Sequence, residues 1–303
     1  MTEFPGSIAT FLEDRGFKVE LCNMQGSLLL CVRKDDVRHI ILPYSINACT
    51  AEDAQAQGKA TEKLMETCAQ RPLIIPEDLW RRSPQMMQAR LLAHLEDFTQ
   101  IYARNCEIRR IEKPEAAEFL SRTHSYGDAA CRYRYGMYLK RHTGHNAESI
   151  ALGSKSVEAG TLIAVATFSN ARKWKKGDKE IRSYEWTRYA SLPGLRINGG
   201  MGKLLKVFIN EVAPDDIMSY ADLEWSEGDV YRQLGFILEG HKEPVTFMVD
   251  TRTWKRFPVR PGMTGPDGSG TKGPDGSDMK EEDRRFFQNF GSNKYRLKLT
   301  EYE

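Results

Sequence analysis

Two segments of the chain decide its predicted fold: residues 184–203 read YEWTRYASLPGLRINGGMGK, and residues 217–236 read IMSYADLEWSEGDVYRQLGF. Each segment begins with residues typical of a strand and continues through a turn into a helical pattern; in the first, Glu185 alternates with Tyr184 and Trp186. With their flanks they predict a strand, a glycine-rich turn, a helix, a strand and a short helix, at Ile181–Ala190, Pro193–Gly202, Lys203–Val212, Ile217–Asp222 and Gly228–Leu234. Strands that alternate with helices predict an α/β (α+β) fold, in which helices cover a mixed central sheet.

The glycine-rich turn is the first candidate binding site. Glycines allow a backbone to approach a ligand closely, and free amides at a helix N-terminus present donors and a positive dipole end to a phosphate. The same composition also suits a plain, tight connection between a strand and a helix. The turn by itself therefore leaves a ligand site and a purely structural role both open.

The pieces that follow the turn resemble a known family. YRQLGF, at residues 231–236, has the form Tyr-x-x-x-Gly-Phe. Together with the preceding elements it resembles the GNAT superfamily of acyl-CoA-dependent acyltransferases, in which a strand leads to an (Arg/Gln)-x-x-Gly-x-(Gly/Ala) turn before that helix. The turn here, RINGGMG at residues 196–202, contains both halves of the family pattern, but they are out of register by one residue.

The resemblance implies acetyl transfer from acetyl-CoA to an amine by direct attack in a ternary complex. It assigns to Tyr231 the protonation of the leaving thiolate, which a phenol can perform from within about 3 Å of the sulfur. It also implies that the turn holds the pyrophosphate of the coenzyme, through Arg196, Asn198, Gly199, Gly200, Met201, Gly202 and Lys203.

Three carboxylate or imidazole side chains are candidate bases for the acceptor amine. Glu185 lies on the strand before the turn, Asp222 ends the next strand, and His124 ends a predicted helix. Each candidate has a structural alternative. Glu185 is equally well placed to pair with Arg188, a single histidine is more often structural, and Tyr231 can be a half-buried tyrosine that packs on the sheet.

A narrower resemblance rests on the segments IYARNCEI, YEWTRY and SYADLEW, which begin at Ile101, Tyr184 and Ser219. Over residues 70–250 the chain looks like the GNAT-like domain of phage proteins of the homing-endonuclease-like type. In those proteins an endonuclease-like α/β unit comes first. The resemblance therefore implies a two-domain, phage-related protein.

The division into domains follows from that order. Residues 1–100 predict a smaller α/β domain with a β-meander over residues 17–43, and residues 104–303 predict the GNAT-like domain. A metal-dependent nuclease needs clustered carboxylates, and the meander has no such pattern. We interpret the first domain as degenerate and non-catalytic and expect no metal. Residues 262–278, where GPDGS occurs twice, predict a Gly/Pro-rich loop ahead of the last strand.

The composition of the chain excludes several classes of protein. The chain has 303 residues, of which 40% are hydrophobic and 28% are charged, as in ordinary globular proteins. The net charge of +2 gives no overall attraction to nucleic acid. The six cysteines form no zinc-like spacing, so we expect them to be reduced. No apolar run is long enough to cross a membrane, and the N-terminus does not read as a secretory signal, which predicts a cytoplasmic protein without a membrane partner.

One basic stretch keeps an alternative function open. It reads RKWKK in an apparent loop, and its residues are Arg172, Lys173, Trp174, Lys175 and Lys176. Cations interleaved with an aromatic residue suit nucleic acid, although a solvated loop has the same composition. We predict a GNAT-type N-acetyltransferase that acts on a small-molecule or protein amine. The alternative is a nucleic-acid-associated module that kept the fold and lost catalysis.

Overall fold

The computed structural model describes residues 3–35, 37–141, 157–259 and 279–302. In chain order the helices are α1 (Glu3–Glu13), α2 (Ala51–Thr67), α3 (Glu77–Arg82), α4 (Pro84–His94), α5 (Lys113–Thr123), α6 (Gly200–Val212) and α7 (Asp229–Gln233). The strands are β1 (Lys18–Met24), β2 (Ser27–Lys34), β3 (Val37–Tyr44), β4 (Leu73–Pro76), β5 (Thr99–Tyr102), β6 (Cys106–Arg110), β7 (Tyr133–Leu139), β8 (Leu162–Phe168), β9 (Arg172–Lys176), β10 (Lys179–Ser191), β11 (Leu195–Asn198), β12 (Asp216–Asp222), β13 (Ile237–Lys242), β14 (Thr246–Asp250), β15 (Lys255–Pro258), β16 (Arg284–Gln288) and β17 (Ser292–Lys298). The predicted loop at 262–278 lies outside the described residues.

The chain divides into two compact units, each made of separate segments. The first unit contains residues 1–84, 222–227 and 241–293, and the second contains residues 85–221, 228–240 and 294–303. The predicted domains run continuously along the chain, whereas these units do not. The assignment of residues 1–100 to an endonuclease-like domain stays a prediction.

The first unit is built on the predicted meander. β1 pairs with β2 and β2 with β3, both antiparallel, and β4 adds to β3 in parallel. β14 forms a second, three-stranded sheet with β15 on one side and β16 on the other. Leu29, Leu64, Val249 and Phe287 belong to one buried cluster of this unit. The meander predicted over residues 17–43 is confirmed.

The second unit contains the predicted mixed sheet. Its strand order is β13-β17-β12-β10-β8-β7-β6, and β9 pairs with β10 beside this path. β10 is antiparallel to β8 and parallel to β12. α6 packs Leu204 and Phe208 against Phe168 on one face, whereas α5 packs Phe119 against Val165 on the other. The fold class, α/β with a mixed sheet covered by helices, is confirmed.

Two sequence-based boundaries are wrong. Ser83 and the proline after it predict a helix that continues to about Ala103, but α4 ends at His94 and the chain turns through Glu96 at φ 62°. Residues 286–299 predict one returning strand, but they contribute to two strands, β16 and β17, which belong to different sheets. In both places the interruption lies at a residue with positive φ, and the second is Gly291 at φ 72°.

Candidate functional site

The central feature of the second unit is the place where two parallel strands stop pairing. β10 and β12 pair over Ser183–Glu185 and Asp216–Met218. From Trp186 onward β10 pairs with β8, and the register shifts between Trp186 and Arg188, as a β-bulge requires. Beyond the paired residues the Ser219 hydroxyl donates to the Trp186 carbonyl at 3.0 Å. We call this contact region of Trp186 and Ser219 the seam.

Tyr231 lies at the seam. Its hydroxyl is 2.9 Å from the Ser219 hydroxyl, and its ring stacks on Tyr295 with a centroid distance of 5.4 Å. The Ser219 hydroxyl donates to the Tyr231 oxygen as well as to the Trp186 carbonyl, so its single proton is shared between the two acceptors. Burial raises the pKa of Tyr231, and the hydrogen bond with Ser219 opposes that shift. The phenol therefore keeps its proton at neutral pH.

The glycine turn forms the beginning of α6, three residues earlier than predicted. Gly199 caps the helix at φ 75°, a conformation that favours glycine. The Lys203 amide makes the first intrahelical bond, to the Gly199 carbonyl at 3.0 Å. The amides of Gly200, Met201 and Gly202 precede that bond. They form a donor set at the positive end of a helix dipole, which suits an anion.

Three predicted coenzyme-binding side chains contact other parts of the unit. The Lys203 ammonium donates to the carbonyls of Ala103 and Cys106, at 2.9 and 2.6 Å. The Asn198 amide donates to the Gln100 side chain at 3.2 Å. The third is Arg196, whose guanidinium lies 5.1 Å from the Phe98 ring centroid. These side chains therefore fix the turn to the rest of the unit. The backbone amides remain as the groups that could bind a ligand.

Close contacts connect the start of α6 with the seam. A β-carbon at Gly200 would lie 3.3 Å from the Tyr189 hydroxyl, and one at Gly202 would lie 3.3 Å from Leu234, just after α7. The ring of Trp186 is 6.2 Å from that of Tyr189 and 6.4 Å from that of Tyr231. The start of α6 is therefore connected to the seam through the packed side chains of Tyr189 and Trp186 on one path and Leu234 on the other.

Glu185 lies on the opposite face of the sheet from this region. Its neighbours Tyr184 and Trp186 are buried in the main core, whereas Glu185 is half-buried, as alternation along a strand requires. The bulge brings Thr187 and Arg188 together opposite Thr167. Burial lowers the pKa of Arg188, and the charge of Glu185 opposes that shift. The Arg188 guanidinium donates to the carbonyls of Gly127 and Thr187, at 3.0 and 2.7 Å, so its pairing with Glu185 stays a prediction.

His124 follows α5 and is poorly suited to collect a proton. Its Nδ1 accepts the Tyr126 backbone amide at 3.2 Å. Burial lowers the pKa of His124 to about 3, and the charges of Arg188 and Arg90 lower it further. The ring is neutral at neutral pH and borders a cavity of about 220 Å³, which Tyr189 also lines. As a base it would be much weaker than an ordinary histidine.

Asp222, the remaining base candidate, belongs to the first unit. Its Oδ1 accepts the Glu224 backbone amide at 3.0 Å, and its carbonyl accepts the amides of Trp225 and Ser226. These bonds shape the turn that follows β12. A role for Asp222 as a base stays a prediction.

The basic stretch is a strand, so its assignment to a loop is wrong. β9 pairs antiparallel with β10 and Lys176 faces Lys179. Gly177, at φ 58°, makes the tight turn between the two strands. Trp174 is half-buried and contacts the ring of Tyr302. The four cations, Arg172, Lys173, Lys175 and Lys176, are exposed.

Two further findings limit the possible chemistry of the described residues. They contain no group of three or more His, Cys, Asp or Glu side chains that could hold a metal ion. None of their helices is both long and apolar enough to cross a membrane.

Comparisons with known proteins give only distant matches. No protein-family model matches the chain, and no curated protein matches it. Among solved structures, the yncA acetyltransferase of Salmonella typhimurium, with its cofactor acetyl-CoA, is 12% identical, with 65% of this chain and 96% of that chain covered and a TM-score of 0.34. A mutant AtaT toxin bound to the C-terminus of the antitoxin AtaR is 15% identical, with coverages of 45% and 87% and a TM-score of 0.27. The KacTA–DNA complex is 17% identical, with coverages of 45% and 86% and a TM-score of 0.26. Similarity at this level carries no argument about the activity of this chain.

Several polar residues of the site are not evident from the sequence. Ser219 joins Tyr231 to β10, while Thr167 and Thr187 form a hydroxyl pair at 2.7 Å under the bulge. Their roles depend on which strands are neighbours. Their sequence gives one local signal. Ser219 and Thr167 are each a polar residue in a mostly apolar strand, and both are buried.

Proposed function

We propose that the second unit is an acyl-CoA-dependent N-acyltransferase that transfers an acetyl group from acetyl-CoA to an amine. One arrangement supports this proposal above the others: the start of α6, with its donor amides, packs beside Tyr189, whose ring contacts Trp186 of the seam, where Tyr231 also lies. The amides suit the pyrophosphate of a coenzyme, which is a doubly charged anion. Tyr231, which keeps its proton at neutral pH, suits a leaving thiolate.

In this mechanism the amine nitrogen attacks the thioester carbonyl. A carbon–nitrogen bond forms and the carbon–sulfur bond breaks. The sulfur takes the proton of Tyr231, whose oxygen keeps the hydrogen bond from Ser219, and the nitrogen loses one proton to a base. Most of the rate enhancement would come from positioning the two reactants, and the protein supplies a proton donor and a base.

Glu185 is the candidate base that the geometry favours. It lies next to the bulge, and its backbone amide donates to the Ser169 hydroxyl at 2.9 Å, which fixes this part of β10. His124 is a weaker candidate because Arg188 and Arg90 oppose its protonation. The coenzyme and the amine would then approach β10 from opposite faces of the sheet. The coenzyme groups lie at the seam, and the amine lies on the side of Glu185.

The binding of acetyl-CoA tests this proposal, with a pair of variants matched in shape. Gly202→Asp and Gly202→Asn place side chains of equal size in the first turn of α6, where each must displace the tip of Leu234 by the same small amount. An acidic residue in the first turn stabilises a helix, so the Asp variant should fold. Two charges about 6 Å apart repel by roughly 1–3 kcal/mol near a protein surface, which is about 5- to 150-fold in affinity.

Calorimetry on the full chain should give binding of acetyl-CoA that Gly202→Asn retains and Gly202→Asp loses by at least about tenfold. Equal affinities for the two variants would place the phosphates elsewhere. The absence of binding at millimolar acetyl-CoA would refute the proposal.

A second candidate function rests on the exposed hairpin of β9 and β10. The hairpin extends four cations into solvent, which suits the phosphates of a nucleic acid. Against it, Lys173 pairs with Glu180 at 2.8 Å and Trp174 packs on the protein. If the hairpin binds duplex DNA, Lys175→Gln with Lys176→Gln should weaken binding and reduce its salt dependence. Unchanged binding would remove this candidate.

A further inference from the structure

A cavity of about 450 Å³ lies on the same side of the second-unit sheet as Glu185. Its wall residue Arg134 alternates on β7 with Tyr133 and Tyr135, which face the main core, just as Glu185 alternates with Tyr184 and Trp186. It lies between the start of α5, the segment before β7 and the end of β8. Lys113, Asp128, Cys131, Arg134, Asn170 and two alanines line it. Its size is within the range of small-molecule sites in proteins.

The walls of the cavity carry charges of both signs. Lys113 and Arg134 are cations, Asp128 is an anion, and Asn170 can donate or accept. Burial raises the pKa of the Cys131 thiol, so that side chain stays neutral. A ligand that complements this wall has more negative than positive charge, and it also has a hydrogen-bond donor for Asp128.

Two polar atoms of these wall residues have no hydrogen-bond partner within the described part of the chain: Asp128 Oδ1 and Arg134 Nε, both buried. The Arg134 guanidinium is held in place by its Nη2, which donates to the Cys131 carbonyl at 2.7 Å. A buried polar atom that has lost its water and found no other partner is destabilising, so such atoms call for an explanation. A bound ligand that accepts from Arg134 and donates to Asp128 would supply both missing bonds.

The cavity is adjacent to the candidate base. Ser169, the residue before Asn170, exchanges two hydrogen bonds with the backbone of Glu185, both at 2.9 Å. The charges of Glu185 and Asp128 both act on the Arg188 guanidinium. A ligand in the cavity would therefore lie next to the bulge of β10.

We propose that this cavity binds the acyl acceptor, and that the acceptor is a small amine that also carries an anionic group, either a carboxylate or a phosphate. The inference rests on the proposed acyl transfer. Arg134 and Lys113 hold the anionic group, Asp128 accepts a hydrogen bond from the ligand, and the amine faces Glu185. The nitrogen forms a bond to the acetyl carbon and gives one proton to Glu185, and the departing sulfur takes the proton of Tyr231.

The test compares four probes on the full chain, by calorimetry with and without coenzyme A. L-Glutamate and O-phosphoethanolamine carry both an amine and an anion, n-butylamine has only the amine, and glutarate has only carboxylates. We expect the first two to bind at least about tenfold more tightly than the others. The stronger of the two identifies carboxylate or phosphate as the preferred anion. Mass spectrometry with acetyl-CoA should find acetylation of the same probe.

Variants assign the binding to the cavity. Arg134→Gln should weaken the preferred probe at least about tenfold, and Arg134→Lys, which keeps the charge, should weaken it less. Arg132→Gln is the matched control, because Arg132 is an exposed cation two residues away that does not line the cavity. It should change the affinity less than about twofold, and all three variants should keep the wild-type affinity for acetyl-CoA.

The outcomes separate this inference from the proposed function. The acceptor class is overturned, even if acetyl-CoA binds as proposed, if n-butylamine binds as tightly as the stronger of the two amine–anion probes or if Arg134→Gln has no effect. If acetyl-CoA fails to bind but L-glutamate binds through Arg134, the transferase fails and with it the acceptor role. Tight, Arg134-dependent binding together with acetylation of the bound probe supports both.

Discussion

Arg256 lies between two buried carboxylates in the first unit, and its replacement by methionine should destabilise the protein strongly. Its guanidinium donates to both oxygens of Asp78, one of them at 2.9 Å, and to Glu224 at 3.0 Å. The side chains of both acids are fully buried, and that of Arg256 is 8% exposed. The guanidinium also lies over the ring of Phe287, 4.0 Å from its centroid.

The expected magnitude follows from this burial. Arg256→Met keeps much of the aliphatic length but leaves two carboxylates without their cation, which should lower the free energy of unfolding by about 3–5 kcal/mol. Arg252→Met is the matched control. Arg252 pairs with Asp250 and Asp283 at 3.3 and 3.4 Å, but its side chain is 51% exposed. Its replacement should therefore cost less than about 1 kcal/mol.

The loss of stability in Arg256→Met should also depend on pH, in a direction that the pKa of Glu224 determines. Burial raises the pKa of Glu224 from 4.5 to about 7, and the charges of Asp222 and Asp78 add to the shift while Arg256 opposes it. The folded protein therefore holds this proton more tightly than the unfolded chain. The contribution of Glu224 to stability is full below pH 4.5 and is lost as the pH rises through 7. Without Arg256 the charged carboxylate is still less favourable, so the loss in Arg256→Met should be larger at pH 8 than at pH 5.

Urea unfolding followed by tryptophan fluorescence at both pH values measures these losses. Adding Glu224→Gln to Arg256→Met should restore part of the stability at pH 8, since it removes one of the unpaired charges. The reasoning would be refuted if Arg256→Met behaved like Arg252→Met, or if its loss were larger at pH 5.

Three more outcomes are expected in the second unit. Tyr231→Phe should reduce acetyl transfer at least about tenfold with little change in acetyl-CoA affinity, whereas Tyr135→Phe, which loses a hydrogen bond to Glu211, should leave transfer rates unchanged. Lys203→Met should lower stability by about 1.5–3 kcal/mol, because its ammonium donates to two carbonyls, and it should change acetyl-CoA affinity less than about threefold. His124→Gln should flatten the acid side of the stability profile. The folded pKa of about 3 lies below the ordinary histidine value of 6.5, so wild-type stability falls as the pH drops from 6.5 towards 3. An unchanged acid limb in His124→Gln, or a large loss of coenzyme affinity in Lys203→Met, would contradict these assignments.

The parts of the fold that could be predicted are those with a local cause. The turn at residues 193–202 has glycines where a helix begins, and the structure places Gly199 at positive φ as the cap of α6. The hairpin of β9 and β10 also had a local signal, the Gly177-Asp178 pair between the two strands, which the basic composition of β9 obscured. The end of α4 had none, because Glu96 adopts a left-handed conformation that favours glycine.

The parts that could not be predicted depend on pairing between distant segments. Arg134 and Asp128 reach one cavity only because α5, β7 and β8 are neighbours, and nothing in their local sequence separates them from solvated charges. Ser219 becomes informative only when β12 is placed beside β10. β13 and β17 are neighbours in one sheet although they are far apart in the chain. No local pattern in either segment predicts that they pair.

The central claim is that the amides at the start of α6 bind the pyrophosphate of acetyl-CoA. Hydrogen–deuterium exchange of the full chain, with and without saturating acetyl-CoA, tests it at the level of single peptides. We expect slower exchange in peptides that contain Gly200, Met201 and Gly202, and no change in the β1–β2 hairpin of the first unit. Protection confined to other segments, or none at any acetyl-CoA concentration, would contradict it.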